Sequence, residues 1–206
     1  MRLLVLGASG RTGTTLVAQG LDRGHRVTAF GRSAYCGRPD EALTVILGSP
    51  MSADDLGATL PNHDAVVSAL GTRGIGPTSL LRDSVRALTQ TMPRARVKRL
   101  IVISSNLVAG SSWLDRMAAC TILRHHARDQ REMEDLVSES DLDWTVVRAP
   151  VLTNRPLTEG YGLSDSQPSD ARATSIGRRD LARLMLLAVE RDSHVKQKVG
   201  VVRNSS

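Results

Sequence analysis

The chain has 206 residues, 41% of them hydrophobic and 2% aromatic, and 27 Lys+Arg against 21 Asp+Glu give a formal charge of +6. That length suits one domain with a core that needs no covalent staples, and two distant cysteines, Cys36 and Cys120, with no Cys-x-x-Cys or Cys/His spacing, suggest neither a disulfide framework nor a metal site. Scattered arginines and so few aromatics argue against a nucleic-acid partner, and no apolar run nears the ~18 residues of a membrane span or leads into a cleavage site, so the expectation is a cytoplasmic protein with no membrane partner.

The first strand is predicted over residues 2–6, where Leu3-Leu4-Val5-Leu6 suits burial on both faces. It runs straight into Gly7-Ala8-Ser9-Gly10-Arg11-Thr12-Gly13, three glycines at three-residue spacing, and then into a helix predicted over 12–23 with Leu16, Val17 and Gly20 on one side. Glycines let backbone N–H groups close on phosphate oxygens, and the helix N-terminus that follows favours negative charge. The pattern is a cradle for a nucleotide pyrophosphate, in Gly-x-x-Gly-x-x-Gly form rather than the more familiar Gly-x-Gly-x-x-Gly. Arg11, inside the turn, has two open readings: toward a phosphate group or out to solvent.

A second strand over 26–30 ends in Gly31-Arg32-Ser33. Dinucleotide folds that take NAD place an acid here for the ribose hydroxyls, whereas an arginine receives the 2′-phosphate of NADP. There is no acid between Val27 and Pro39, and Arg32 offers a planar, permanently charged fork with the Ser33 hydroxyl beside it. The expected cofactor is therefore NADP(H).

Strands over 44–47 and 65–68 lead into Gly48-Ser49-Pro50 and Ala69-Leu70-Gly71-Thr72-Arg73, short turns on the same ligand edge. Helices over 53–60 and 78–92 have their start signals in Ser52 and Pro77-Thr78-Ser79. The basic stretch from Arg94 to Arg99 reads as a solvated loop before a fifth strand over 99–103, which Ser104 and Ser105 end. A polar helix over 121–140 and a strand over 144–148 follow. Residues 153–175, rich in Pro, Gly, Ser and Asp with little periodicity, read as a substrate-side loop over the carboxyl ends of the strands. A helix over 179–191, with Gly177 just upstream, and a strand near 198–202 complete the chain. Alternating strands and helices throughout give an α/β class: a Rossmann-like doubly wound parallel sheet in a single domain over 1–206. The helices over 78–92 and 121–140 could serve as core faces or as a dimer face, so monomer and homodimer both stay open.

The residues that carry a family likeness run nearly the whole length: Gly7 to Gly13, Arg32, Gly48, Asp64-Ala65-Val66-Val67, Leu70-Gly71-Thr72-Arg73, Val102-Ile103-Ser104-Ser105, and Leu142-Asp143-Trp144 through Ala149-Pro150. On them the chain resembles the atypical short-chain dehydrogenases/reductases, in the group of NmrA-like and flavin reductase (biliverdin reductase B) proteins. The stretch Pro156-Leu157-Thr158-Glu159-Gly160-Tyr161 is nearest to flavin reductase. The resemblance implies NADP(H) bound across the strand ends and reduction of a small molecule, a flavin, quinone or other conjugated acceptor. It implies cofactor contacts at the glycine turn (Gly7, Ser9, Gly10, Arg11, Thr12, Gly13), at Arg32, at Ser49 and Pro50, at Leu70, Gly71, Thr72 and Arg73, and around Pro150 and Val151. Ser104 and Ser105 would face the nicotinamide and the substrate.

The chain departs from the family in its proton chemistry. Typical relatives carry Tyr-x-x-x-Lys on the helix after the fifth strand, the lysine lowering the tyrosine pKa so that it can shuttle a proton. Counting back from Leu142-Asp143-Trp144, the matching pair is His126 and Gln130, and no tyrosine stands on that helix. His126 has a suitable intrinsic pKa for proton transfer, although so polar a helix predicts that it faces solvent. An ordinary ketone needs a positioned acid as hydride arrives, whereas a flavin, quinone or polycyclic aromatic acceptor spreads the charge and can take its proton from water. The reading is thus an NADPH-dependent oxidoreductase for conjugated acceptors. The alternative is a non-catalytic, NADP(H)-sensing regulatory protein of NmrA type; an epimerase or dehydratase, which usually needs the same tyrosine, comes last.

Overall fold

The computed structural model describes residues 1–71, 76–106, 124–165 and 173–204. In chain order its elements are β1 (Arg2–Leu6), α1 (Arg11–Asp22), β2 (Arg26–Gly31), β3 (Leu43–Leu47), α2 (Ala53–Thr59), β4 (Ala65–Ser68), α3 (Leu80–Thr91), β5 (Arg99–Ser105), α4 (Arg124–Ser138), β6 (Asp143–Ala149), β7 (Val151–Thr153), β8 (Tyr161–Ser164), β9 (Ser175–Gly177), α5 (Arg178–Glu190) and β10 (Gln197–Arg203). Eight strands form one sheet in the order β3-β2-β1-β4-β5-β6-β10-β8. Its pairs are parallel except β10 with β8. The chain is a single α/β domain of the Rossmann type.

Strand residues alternate between two cores, as a pleated sheet covered on both faces requires. Leu3 and Val5 of β1 join Leu16 and Val17 of α1 and Leu181 and Met185 of α5 on one face. Leu4 and Leu6 join Leu56 of α2, Val85 and Leu88 of α3 and Met133 and Val137 of α4 on the other. The two layers position everything that follows, because β1 pairs with β2 on one side and β4 on the other. Successive connections therefore run in opposite directions from β1, which opens a crevice at the carboxyl ends of the strands.

Two charged groups depart from the expected pattern. Arg99 is not part of a solvated loop: it is 6% exposed, and burial pulls its guanidinium below the ordinary value. Its Nη atoms donate to the carbonyls of Asp143, Ala188 and Ser193 and to Thr145 Oγ1 at 2.7–3.0 Å, so the buried cation ties β5 to β6 and to the end of α5. Glu134 of α4 is 1% exposed and accepts from Arg148 of β6 through both oxygens, at 3.1 and 2.6 Å, with Lys198 Nζ of β10 at 3.6 Å. Glu134→Ala strips two partly buried cations of their shared anion and should cost about 3–5 kcal/mol. Urea unfolding checks this, and a loss under about 1 kcal/mol would reduce the cluster to a surface ion pair.

The region after β6 is more ordered than its composition suggests. β7 and β9 pair in parallel, Val151 opposite Ser175 and Thr153 opposite Gly177. Tyr161–Ser164 adds β8 to the far edge of the main sheet, antiparallel to β10. Between them, buried Asp180 of α5 accepts the N–H groups of Thr158 and Glu159 at 3.0 and 2.9 Å, which pins the connecting loop. Residues 166–172 of the expected substrate loop, and Cys120, lie outside the described residues.

Candidate functional site

The glycine turn is built by close approach of backbone to backbone. Gly7 sits at φ +73°, and a Cβ there would stand 2.9 Å from the Ala69 carbonyl oxygen, so the turn after β1 packs directly on the turn after β4. A Cβ on Gly10 would meet the Gly7 carbonyl at 3.2 Å, and one on Gly13 would meet it at 2.0 Å. The Gly10 N–H donates to that same carbonyl at 2.9 Å. α1 then begins with no side-chain cap and no acid in its first turn, which leaves its unpaired N–H groups and positive end open to an anion. The turn fits a diphosphate on geometric grounds.

A cleft of about 560 Å³ spreads from this turn across the switch point. Gly7, Ser9, Gly10, Arg32, Ser33, Leu70 and Gly71 all line it. Arg32 is exposed and makes no hydrogen bond or ion pair among the described residues, while Arg38 nearby is occupied by Asp22 and Asp40. An uncommitted guanidinium on a cleft that begins at a glycine turn suits a phosphate. Pro50 lines the cleft; Ser49 does not, its N–H donating to Asp55 Oδ2 at 2.7 Å and its Oγ accepting from the Met51 N–H at 3.4 Å. Thr12 and Gly13 are buried beneath the turn, and Arg11 lines a neighbouring cleft instead. Pro150 is buried and Val151 is 70% exposed, both at the end of β6. Thr72 and Arg73 lie outside the described residues.

The remaining wall was not foreseen as part of the site: Met51 and the run Pro77–Leu80, which opens with the predicted helix start, also line the cleft. Ser79 is the N-cap of α3 but makes no capping bond. Asp129 of α4, 2% exposed, does so instead, accepting from the N–H groups of Leu81 and Arg82 at 3.1 and 2.9 Å. A carboxylate on a helix N-terminus satisfies the orphan donors and the dipole together. Nothing local announces such a cap, because its donor and acceptor lie far apart in sequence.

At the end of β5, buried Ser104 has an Oγ with no hydrogen-bond partner among the described residues, and Ser105 Oγ donates to Gln130 Oε1 at 3.0 Å. Gln130 thus shows which face of α4 meets the end of β5, and His126, one turn back, shares that face. This corrects the expectation of a solvent-facing His126: it is 8% exposed, and its Nδ1 is buried with no hydrogen-bond partner among the described residues. The polar residues that predicted exposure belong to other faces, where Arg128 pairs with Glu132. Asn106 Oδ1 is likewise buried with no hydrogen-bond partner among the described residues. Buried polar atoms left unpaired are uncommon and mark places where a ligand can complete the bonding.

Among the described residues no cluster of His, Cys, Asp or Glu is placed to hold a metal ion, and no helix is long and apolar enough to cross a membrane. The chain is 27% identical to YwnB of Bacillus subtilis (strain 168), covering 98% of each. It is similar in fold to a wide-type short-chain dehydrogenase/reductase from Veillonella parvula solved in complex with NADP, at 20% identity and TM-score 0.80 over 98% of this chain and 94% of that one. It is also similar to a Streptococcus pneumoniae TIGR4 protein named as a candidate NADH-flavin reductase, at 24% identity and TM-score 0.76 over 99% and 100%. The sequence matches the family described as NAD(P)H-binding over residues 7–192, and with the glycine turn, the open helix end and the switch-point cleft in place, the chain belongs to that NAD(P)H-binding family.

Proposed function

We propose that the protein is an NADPH-dependent oxidoreductase that delivers hydride to a conjugated acceptor such as a flavin, quinone or polycyclic aromatic compound. The observation that carries the reading is Arg32, exposed and unpaired on the nucleotide cleft, with no acid between Val27 and Pro39. The neighbour solved with NADP and the one named for flavin reduction support the cofactor and acceptor classes respectively. The reduced nicotinamide supplies the hydride when it is bound. The chain's part is to hold the diphosphate on the Gly7–Gly13 turn and the 2′-phosphate on Arg32, and to offer an apolar platform at exposed Val151. The Ser104 hydroxyl and His126 Nδ1, both desolvated and unpartnered, are the groups able to hold a proton near the acceptor.

The chain's two tyrosines are Tyr35 and Tyr161, neither on α4, so a strongly basic carbonyl oxygen has no tyrosine acid to meet it there. That absence also supports the second reading, an NADP(H)-sensing regulatory protein. The loss of NADPH absorbance with a panel of flavins and quinones separates the two: turnover supports the enzyme, and tight NADP(H) binding with no turnover supports the sensor. In the enzyme, Ser104→Ala should lower kcat by no more than the roughly 10²-fold at the bottom of the range for a positioned proton donor, with the KM for NADPH unchanged. A change in His126→Ala but not Ser104→Ala would move the proton role to the histidine.

A further inference from the structure

Beside the glycine turn, at Arg11, lies a second cleft, of about 580 Å³, which no part of the proposed hydride transfer uses. Four arginines line it, Arg11, Arg155, Arg178 and Arg179, with Asn154 and Thr15 beside them and no carboxylate in its walls. Three separate segments bring the arginines together. Arg11 is the first residue of α1, Arg178 and Arg179 are the first of α5, and Arg155 comes two residues after β7. The parallel pairing of β7 with β9 sets Thr153 opposite Gly177, so Arg155 and Arg178 leave the two strands side by side. A Cβ on Gly177 would stand 3.1 Å from the Arg155 carbonyl oxygen, which is how closely the two segments pack.

The cluster is held in place and left charged. Asn154 Oδ1 accepts from Arg178 Nη1 at 2.7 Å, and Asp180 fixes the loop just beyond Pro156. Arg23, Arg38, Arg82, Arg128, Arg148 and Arg183 are all paired with acids, whereas none of the four cleft arginines has an ion pair among the described residues. Burial first, and then the charge of Arg11, pull the Arg178 guanidinium below its ordinary value. Like charges held together in a partly desolvated cleft are unfavourable until an anion joins them.

We propose that this cleft receives a phosphate, or an equivalent dianionic group, carried by the electron acceptor. Its position fits: Arg155 lies in the stretch expected to cover the substrate, four residues beyond Val151, and at ~3.3–3.6 Å per residue stays within about 15 Å of it. Guanidinium forks suit phosphate oxygens two at a time. The carrier's identity rests on the oxidoreductase reading; the anion site itself does not.

The test uses the whole chain saturated with NADP+, so that the glycine turn is filled, and titrates flavin mononucleotide against riboflavin, which lacks the phosphate. The mononucleotide should bind at least tenfold more tightly, and the R155Q/R178Q variant should lose that advantage with riboflavin affinity unchanged. R155Q alone, which leaves the Asn154–Arg178 contact intact, should lose part of it at an unchanged Tm. Equal affinities in the parent, no binding of either flavin, or an advantage that survives the double variant would overturn the proposal. So would a loss of NADP+ affinity in the variant as large as the loss for the mononucleotide, which would assign the cleft to the cofactor. Inorganic pyrophosphate, titrated under the same saturation, distinguishes this from failure of the enzyme reading. A tenfold weakening in the double variant upholds the anion site even where NADPH is never oxidised. Pyrophosphate binding without a mononucleotide advantage means a free polyanion, and rejects the acceptor as its source.

Discussion

Gly13→Ala is expected to abolish cofactor binding and to destabilise the fold. The added methyl would lie 2.0 Å from the Gly7 carbonyl oxygen, 2.7 Å from its carbon and 2.8 Å from the Ala8 Cα. All three obstacles are backbone, so no side chain can rotate away. Either α1 backs off the turn, which unseats Leu16 and Val17 from a core where both are fully buried, or the turn itself deforms and Gly7 loses its φ of +73°. Forced overpacking of this kind costs about 1–3 kcal/mol, at roughly 2–4 °C in Tm per kcal/mol for a domain of this size. NADPH affinity measured by calorimetry should fall by two orders of magnitude or more, since both escape routes move the N–H groups that face the diphosphate. Gly57→Ala is the control: a Cβ there meets nothing closer than Thr91 Cγ2 at 4.0 Å, and a helical Gly→Ala change should be neutral or stabilising by ~0.5–1 kcal/mol. Parent-like NADPH affinity in Gly13→Ala would mean that the turn does not hold the cofactor.

Arg32→Ala should separate the two nicotinamide cofactors. A hydrogen bond to a charged group contributes roughly 1.5–3 kcal/mol, and 1.4 kcal/mol is tenfold in affinity, so NADPH should weaken by about 10- to 150-fold while NADH changes by less than about twofold. Arg32→Asp should go further and invert the preference, because the carboxylate repels the 2′-phosphate and can accept from the ribose hydroxyls. The guanidinium is exposed, so the NADPH advantage should shrink as salt rises. Dissociation constants for both cofactors, in low and high salt, check all three points. An equal loss for both would reject the 2′-phosphate role.

What could be read from sequence was what local rules determine. The run Leu3 to Leu6 is apolar at every position because both faces of β1 are covered, and Gly7 and Gly13 after it are each required by a backbone contact. Ser52 caps α2 as its position predicts, accepting from the Asp55 N–H at 3.1 Å. Contacts between residues distant in sequence were not legible. β8 is four residues including Gly162, and it exists because β10 offers an open edge. Arg99 looks like the last of a basic run, yet its partners come from β6 and the end of α5. His126 sits among charged neighbours, and only its packing, with the bond from Ser105 to Gln130, shows that its side of the helix turns inward. The four arginines of the second cleft come from three places in the chain, so their scatter in sequence hid a cluster in space.

The carboxylate of Asp129 belongs to α4 but holds the first turn of α3, the segment that walls the nucleotide cleft. His126 stands three residues before Asp129 on the same helix. A ligand that presses on Pro77–Leu80 therefore bears on a helix tied to α4 by Asp129 and by the Arg82–Glu132 ion pair. The wall of the cleft and the buried histidine are in this way carried by one packed pair of helices, two elements that share no sequence neighbourhood.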